Sequence, residues 1–308
     1  MKAVVYSHYG PPDVLELREV AKPVPKANEL LVKVHATTVT SGTVWVRQGK
    51  FPGSWLFTVL LRLMSGIKRP SKPILGYEFS GIVEAVGNKV KLFKKGDAVY
   101  GTTTGLRQGA YAEYVCVPEK WNQGVVALKP ETLSFEAAAA LSIGGMTALH
   151  LLKKSKIQKG EQVLVYGASG SVGTYALQLA RYFGATVTGV SSKSNLSLLQ
   201  SLGADHVLDY MTDDLSGIQG KFQVVFDAAG KLSTAQMKAL VSPGGRCRSV
   251  KSITNEKQDY LEELEYIIRQ GKLQPYIGVK FPLEEIVAAH AHADTGHKRG
   301  NLVVMVNQ

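Results

Sequence analysis

The stretch VLVYGASGSVGTYALQLARYFGATVTGVSSKS, residues 163–194, places glycines where a phosphate could be held. Gly167, Gly170 and Gly173 recur at three-residue spacing, between an apolar run at 163–165 and a helical pattern starting near Ser171. Glycines let the backbone approach a pyrophosphate, and the last of the three lets the helix pack close to the strand before it. The helix start turns its first N–H groups and the positive end of its dipole toward the same loop. Ala168, Ser169, Ser171 and Val172 fill the remaining positions. The strand-then-helix context makes 167–173 a dinucleotide-binding candidate, although Ser169 stands where G-x-G-x-x-G has its second glycine.

The end of the following strand selects the dinucleotide. An NAD site carries Asp or Glu there to accept from the ribose hydroxyls. Here the residues are Val190, Ser191, Ser192 and Lys193. Two hydroxyls and an ammonium attract a 2′-phosphate that a carboxylate would repel. The expected cofactor is therefore NADP(H).

Competing chemistries fail on spacing. Ser169 has Ser171 two residues on, where a nucleophile elbow requires glycine, and no G-x-x-x-x-G-K-[ST] run occurs. Tyr276 and Lys280 have the Tyr-x-x-x-Lys spacing, which works only on a helix face; Pro275, Gly278 and Pro282 argue against a helix there. His290 and His292, two apart on an expected helix, point in different directions, and Cys116 and Cys247 lie on expected strands. No metal is expected, since a tetrahedral site needs three or four converging ligands.

These residues need a scaffold. Residues 1–125 carry short apolar runs punctuated by Gly, Pro and Lys, which predicts a twisted antiparallel β assembly. From residue 134 strands and helices alternate: strands at 162–166, 186–190, 206–208, 223–227 and 246–250, with helices at 174–183, 196–202, 234–240 and 258–270. Such alternation predicts right-handed βαβ units around a doubly wound parallel sheet. A last strand closes the chain at NLVVMV. The expected division is 1–125, 126–272 and 273–308, the last segment returning to the first domain.

The 308 residues, 45% hydrophobic and 20% charged, suit a globular protein of two domains. The formal charge of +11 is spread over scattered lysines, so an anionic cofactor accounts for it better than nucleic acid. The opening MKAVVYSHYG lacks a signal-peptide layout, and two cysteines make no disulfide framework; a reducing cytoplasm is the expectation. The apolar run at 55–61 is too short for a membrane span.

Several further stretches act together: YGPPDVLEL, LGYEFSGIVEAVG, FKKGDAVYG, GAYAEYVCVPE, TLSFEAAAALSIGGMTALHLL, LGADHVLDY, VFDAAG and PLEEIVAAH…GHKRGNLVV. Jointly the chain resembles the zinc-independent quinone oxidoreductase branch of the medium-chain dehydrogenase/reductase superfamily. The resemblance implies a chaperonin-10-like β-rich catalytic domain, a Rossmann domain and an active site between them. It implies Tyr77 in place of a zinc-ligand histidine in Gly76-Tyr77-Glu78. It also implies cofactor contacts from Thr147, Tyr210, Ala229, Gly230, Ser249 and Asn301.

Without a Lewis acid, the expected reaction is NADPH-dependent hydride transfer to a quinone. Reduction of an enal or enone double bond, or low-turnover redox sensing, stands as the alternative. The expected partner is a small apolar carbonyl or quinone. The candidate catalytic residues are Tyr77 and Thr40; Thr40 and Thr43 replace the asparagine and acid of the relatives' Asn-Pro-x-Asp run. Residues 55–64, WLFTVLLRLM, are either a helix packed on the β domain, a lid over substrate or a surface for lipid-dissolved quinones. Relatives pair Rossmann edge strands into dimers; the short stretch 250–258 truncates that edge and leaves a homodimer open.

Overall fold

The computed structural model describes residues 1–104, 107–213 and 215–307. Two compact units comprise Met1–Ser142 with Ile277–Gln308, and Ile143–Tyr276.

In the first unit, β1 (Lys2–Val5) pairs antiparallel with β2 (Glu16–Glu19). β3 (Glu29–Thr38) is the hub of the main sheet, buried on most of its length because it is flanked by other strands. Two helices follow it, α1 (Ser41–Gln48) and α2 (Trp55–Ser65). Then come β4 (Glu78–Val86), β5 (Ala98–Thr102), β6 (Tyr114–Pro118) and β7 (Val126–Leu128).

α3 (Phe135–Ser155) leads into the second unit, with β8 (Gln162–Tyr166), α4 (Ser171–Tyr182), β9 (Thr186–Ser191), α5 (Leu196–Ser201) and β10 (His206–Asp209). It continues with β11 (Phe222–Asp227), α6 (Thr234–Leu240), β12 (Val241–Ser249) and α7 (Gln258–Arg269). The chain then returns to the first unit as β13 (Ile277–Pro282), α8 (Ile286–Asp294) and β14 (Asn301–Met305).

The first unit's sheet runs β13-β14-β3-β4-β5-β7, with β6 also on β3. β14 lies antiparallel to β3, Val304 opposite Thr37, which explains why the apolar NLVVM is buried. The second unit's sheet is parallel, in the order β10-β9-β8-β11-β12. β8 is central, so VLV is enclosed on both faces, and β12 forms one edge.

Local differences from expectation have physical causes. β12 starts at Val241 rather than 246 because an irregularity between Phe222 and Val224 absorbs Pro243-Gly244-Gly245. The contact division falls at 142/143 and 276/277, later than 125/126 and 272/273. β7 still pairs with β5, and Ser80 Oγ still donates to the Phe135 carbonyl at 2.5 Å. β13 begins at Ile277 and carries Lys280 in extended conformation, so Tyr276 and Lys280 share no helix face. α3, 21 residues long, is the one helix among the described residues long and apolar enough to cross a membrane, and 72% of its apolar window is buried inside the molecule. It is longer than the apolar run at 55–61, and its small residues read as helix in the sequence.

Candidate active site

The glycine loop is a turn built for close approach. Gly167 N–H and Ala168 N–H both donate to the Val190 carbonyl, at 3.0 and 3.1 Å, tying the turn to the end of β9. A Cβ at 173 would collide with the Gly167 carbonyl oxygen and lie 2.7 Å from Ala168 Cα; only glycine lets α4 start this near the turn. α4 begins at an N-cap, Gly170, that has no side chain to satisfy the first N–H groups. Around Gly170 a Cβ would meet nothing nearer than 3.5 Å, so the outer side of the turn is open. These are the features of a diphosphate cradle, and the residues fit a dinucleotide.

Beside the cradle, Ser191 Oγ donates to Ser169 Oγ at 2.6 Å. Asn195 Nδ2 lies 3.3 Å from Ser169 Oγ, 3.3 Å from Ser191 Oγ and 3.0 Å from Ser192 Oγ. Asn195 is buried, and its Oδ1 has no hydrogen-bond partner within the protein. An orphaned buried acceptor beside three hydroxyls is the mark of a site that expects a ligand or water. Lys193 is exposed at the rim. Tyr210 N–H donates to the Ser191 carbonyl at 3.1 Å, and its ring lies 6.3 Å from that of Tyr166. Asp209, in register with Ser191, directs its carboxylate to the Met211 N–H in its own turn at 3.0 Å.

The fourth-strand residues hold the other end of the turn. Ala229 packs against Gly167, where an added Cβ would come within 2.6 Å of the alanine methyl. Asp227 is fully buried and accepts from Lys231 N, Leu232 N and Ser249 Oγ, the last at 3.1 Å. Ser249 is thus committed to orienting Asp227 as well as closing β12. Gly230 takes φ 67° in the same turn. Thr147 is half-buried on α3 one turn past Gly144, which packs so closely on α4 that a Cβ would come within 2.6 Å of Ser171 Oγ. The structure therefore brings together Gly167 through Gly173, Ser191, Ser192, Tyr210, Ala229 and Gly230. Asn301 is buried in β14, in the first unit.

In the first unit, Thr40 and Tyr77 meet across Gly42: a Cβ there would lie 3.5 Å from both Thr40 Oγ1 and Tyr77 Cε2. Thr40 is the N-cap of α1, a helix the sequence reading did not anticipate. Its hydroxyl accepts from Thr43 N–H at 3.2 Å, and Thr43 Oγ1 accepts from Thr40 N–H at 3.1 Å. The Thr40–Thr43 run is thus a capping box with threonine in the Glu/Gln place. Tyr77 is held from behind by Gly76, whose φ of 100° and 2.6 Å approach of a would-be Cβ to the Tyr111 ring exclude any side chain.

A buried polar chain supports this corner. Tyr111 Oη lies 3.1 Å from the Thr38 carbonyl and 3.2 Å from Thr43 Oγ1. His290 Nε2 lies 3.1 Å from Tyr111 Oη, and its Nδ1 3.2 Å from Arg47 Nη1. Arg47, fully buried, pairs with Asp294 through Nη2 at 2.7 and 3.0 Å. Burial pushes the His290 imidazole down to about 3, helped by the Arg47 charge, and burial raises the Tyr111 phenol well above its ordinary value. Nearby, Lys298 Nζ donates to the Val39 carbonyl at 3.0 Å. The residue is half-buried overall with its ammonium at the inner end; desolvation lowers it to about 8, opposed by the Glu78 carboxylate, which Thr38 Oγ1 contacts.

Asn195, Lys298 and the Arg47–His290–Tyr111 chain were not anticipated. A short 3-10 turn, Lys193–Asn195, brings Asn195 back onto Ser191. His290 and His292 do diverge, one buried and one exposed. Among the described residues no group of three or more His, Cys, Asp or Glu side chains converges.

Comparison with known proteins places these two units. A family model described as an alcohol dehydrogenase GroES-like domain matches residues 26–130, and one described as a zinc-binding dehydrogenase matches residues 171–286. The chain belongs to the medium-chain dehydrogenase/reductase superfamily and is an oxidoreductase of its quinone oxidoreductase-like branch. It is 34% identical to a 2-methylene-furan-3-one reductase of Solanum lycopersicum, over 99% of this chain and 79% of the relative. It is 32% identical to a chloroplastic NADPH-dependent alkenal/one oxidoreductase of Arabidopsis thaliana, over the same shares. A solved quinone oxidoreductase from Coxiella burnetii superposes with a TM-score of 0.84 at 30% identity, covering 100% of this chain and 99% of that one. A glycine turn of this kind in that branch makes the cofactor a nicotinamide dinucleotide.

Proposed function

We propose that the chain uses NADPH to reduce a quinone, with no zinc in the reaction. The observation that carries the cofactor choice is the cluster of Ser169, Ser191, Ser192 and Asn195, with the exposed Lys193 next to Ser192 in the chain. Hydroxyl and amide donors with an adjacent cation suit a 2′-phosphate, and Val190 through Lys193 supply no carboxylate to oppose it. When bound, NADPH supplies a hydride from its nicotinamide ring.

The chain's residues bind and orient. The turn at 167–173 holds the diphosphate, and Tyr210 flanks the adenosine end. Thr147, Ala229, Gly230 and Ser249 border the nicotinamide half. Tyr77 and Thr40 hydrogen-bond the acceptor oxygen, and the Tyr77 phenol gives its proton to the reduced acceptor. A quinone or conjugated carbonyl needs no metal for this, since its own oxygen takes up the developing charge. The donor set at Gly76-Tyr77-Glu78 agrees with that reading, with a phenol in the first ligand's place.

A second reading, reduction of an enal or enone double bond, is favoured by the names of the relatives at 34% and 32% identity. A panel of quinones, enals and enones assayed by NADPH absorbance separates the two. Quinone turnover supports the first; turnover of enals or enones alone supports the second. Consumption of neither overturns both and leaves a nucleotide-binding protein of low turnover. Tyr77→Phe is expected to lower kcat about tenfold with KM for NADPH unchanged; wild-type turnover removes Tyr77 from the chemistry.

A further inference from the structure

α2 is inverted. Its positions toward the protein are Ser54, Thr58, Leu61, Arg62 and Ser65, four of them polar. Thr58 Oγ1 donates to the Phe51 and Ser54 carbonyls at 3.3 and 2.9 Å, and Arg62 Nε to the Gly49 carbonyl at 2.9 Å. The Arg62 guanidinium also stacks over the Tyr9 ring at 4.6 Å, and Tyr9 Oη donates to the Gly66 carbonyl at 2.6 Å. The helix is thus fixed in its orientation by polar contacts, with Leu61 its one apolar residue on the inner core. Outward stand Trp55, Leu56, Val59, Leu60, Leu63 and Met64, with Trp55 79% and Met64 58% exposed, while the Phe57 ring rests 5.2 Å from that of Phe51. A helix on an aqueous surface has its stripe the other way round, and a contiguous apolar patch of this kind marks an interaction site.

The charge around it names the partner. From residue 30 to 77 the sequence has no Asp or Glu; Arg47 is buried against Asp294 and Arg62 is held on the inner face, so the exposed cations next to α2 in sequence are Lys50, Lys68, Arg69 and Lys72. Lys50 immediately precedes the α2 segment, and Lys68, Arg69 and Lys72 immediately follow it, all four exposed. An exposed apolar helix with tryptophan at its start and basic residues at both ends is the pattern of an interfacial helix on an anionic bilayer. Four exposed cations at the two ends of an exposed apolar helix complement a negatively charged lipid surface.

We propose that α2 and its basic flanks dock this protein onto anionic membrane surfaces, monotopically, with Trp55, Leu60, Leu63 and Met64 entering the headgroup–acyl boundary. The docking is independent of which acceptor is reduced.

The test is sedimentation of the full chain with vesicles of phosphatidylcholine alone and of phosphatidylcholine with phosphatidylglycerol. Binding is expected to the anionic vesicles only and to weaken with salt. Tryptophan emission is expected to shift to the blue on binding, and this shift is absent from Trp55→Phe. Each neutralised cation is expected to lower the partition coefficient about fivefold, so Lys68→Ala/Arg69→Ala loses roughly 30-fold. Leu63→Gln/Met64→Gln, at outward positions, is expected to fold normally by circular dichroism, to keep NADPH affinity and to abolish vesicle binding. Three results overturn the proposal: no binding to anionic vesicles, equal binding to both vesicle types, or vesicle binding undiminished in Leu63→Gln/Met64→Gln. Self-association in solution that this double variant abolishes, with no vesicle affinity in the wild type, would give the face to a second copy instead. A rise in KM for apolar acceptors in the double variant, again without vesicle affinity in the wild type, would make α2 a substrate lid.

Discussion

Acid is expected to destabilise the first unit through His290. Arg47 has only donors, so His290 Nδ1 accepts from it, and Nε2 carries the proton that faces Tyr111. A second proton would place an imidazolium against a guanidinium away from water, which is why the group is pushed down to about 3. In the unfolded chain it returns to the ordinary value of 6.5. Between these values the unfolded chain binds more protons than the native one. Stability is therefore whole above pH 6.5 and falls as pH drops through the window toward 3. At about 1.4 kcal/mol per pKa unit, this one residue removes roughly 2 kcal/mol between pH 8 and pH 5. His290→Gln is the matched perturbation, since an amide can accept from Arg47 and donate to Tyr111 but does not titrate. It is expected to cost stability at pH 8 and to recover most of that difference by pH 5. Urea unfolding followed by circular dichroism and tryptophan fluorescence at several pH values reads the two curves. Wild-type and variant stabilities that run parallel from pH 8 to pH 5 would refute the reasoning.

Gly173→Ala forces the Gly167 carbonyl and Ala168 away from α4. Overpacking of this kind costs about 1–3 kcal/mol, so a Tm drop with at least tenfold weaker NADPH binding is expected in thermal melts and titrations; unchanged affinity would remove the turn from the site. Lys298→Met takes away the ammonium that donates to Val39, beside Thr40. Wild-type kcat/KM for the acceptor is expected to fall as pH rises through about 8, the value of the buried lysine, and the variant is expected to show no inflection there. An identical inflection in both would show that the Lys298 ammonium does not assist acceptor turnover.

Much of the second unit was legible because its signals are local. β8, the glycine turn, α4 and β9 follow one another within thirty residues, and burial on both faces makes the strands continuous apolar runs. Val190 through Lys193 could be placed at a strand end for the same reason. The first unit resisted because its corner is assembled from distant segments: Arg47, Tyr111 and His290 meet across separations of 179 to 243 residues. Nothing in their spacing announces that meeting. α1 was missed because Thr43 substitutes for the Glu or Gln that makes a capping box readable. α2 was recognised as apolar, but its orientation depends on Arg62, Thr58 and Tyr9 contacts that periodicity does not report.

The central claim is that the end of β9 reads a 2′-phosphate. Equilibrium titration of NADPH and NADH into wild type and Lys193→Ala tests it directly. The exposed lysine's charge-assisted contact should be worth about a factor of ten. NADPH is expected to bind wild type at least tenfold more tightly than NADH, and Lys193→Ala to weaken NADPH alone. Equal affinities in the wild type, or an equal loss of both in the variant, would contradict the account.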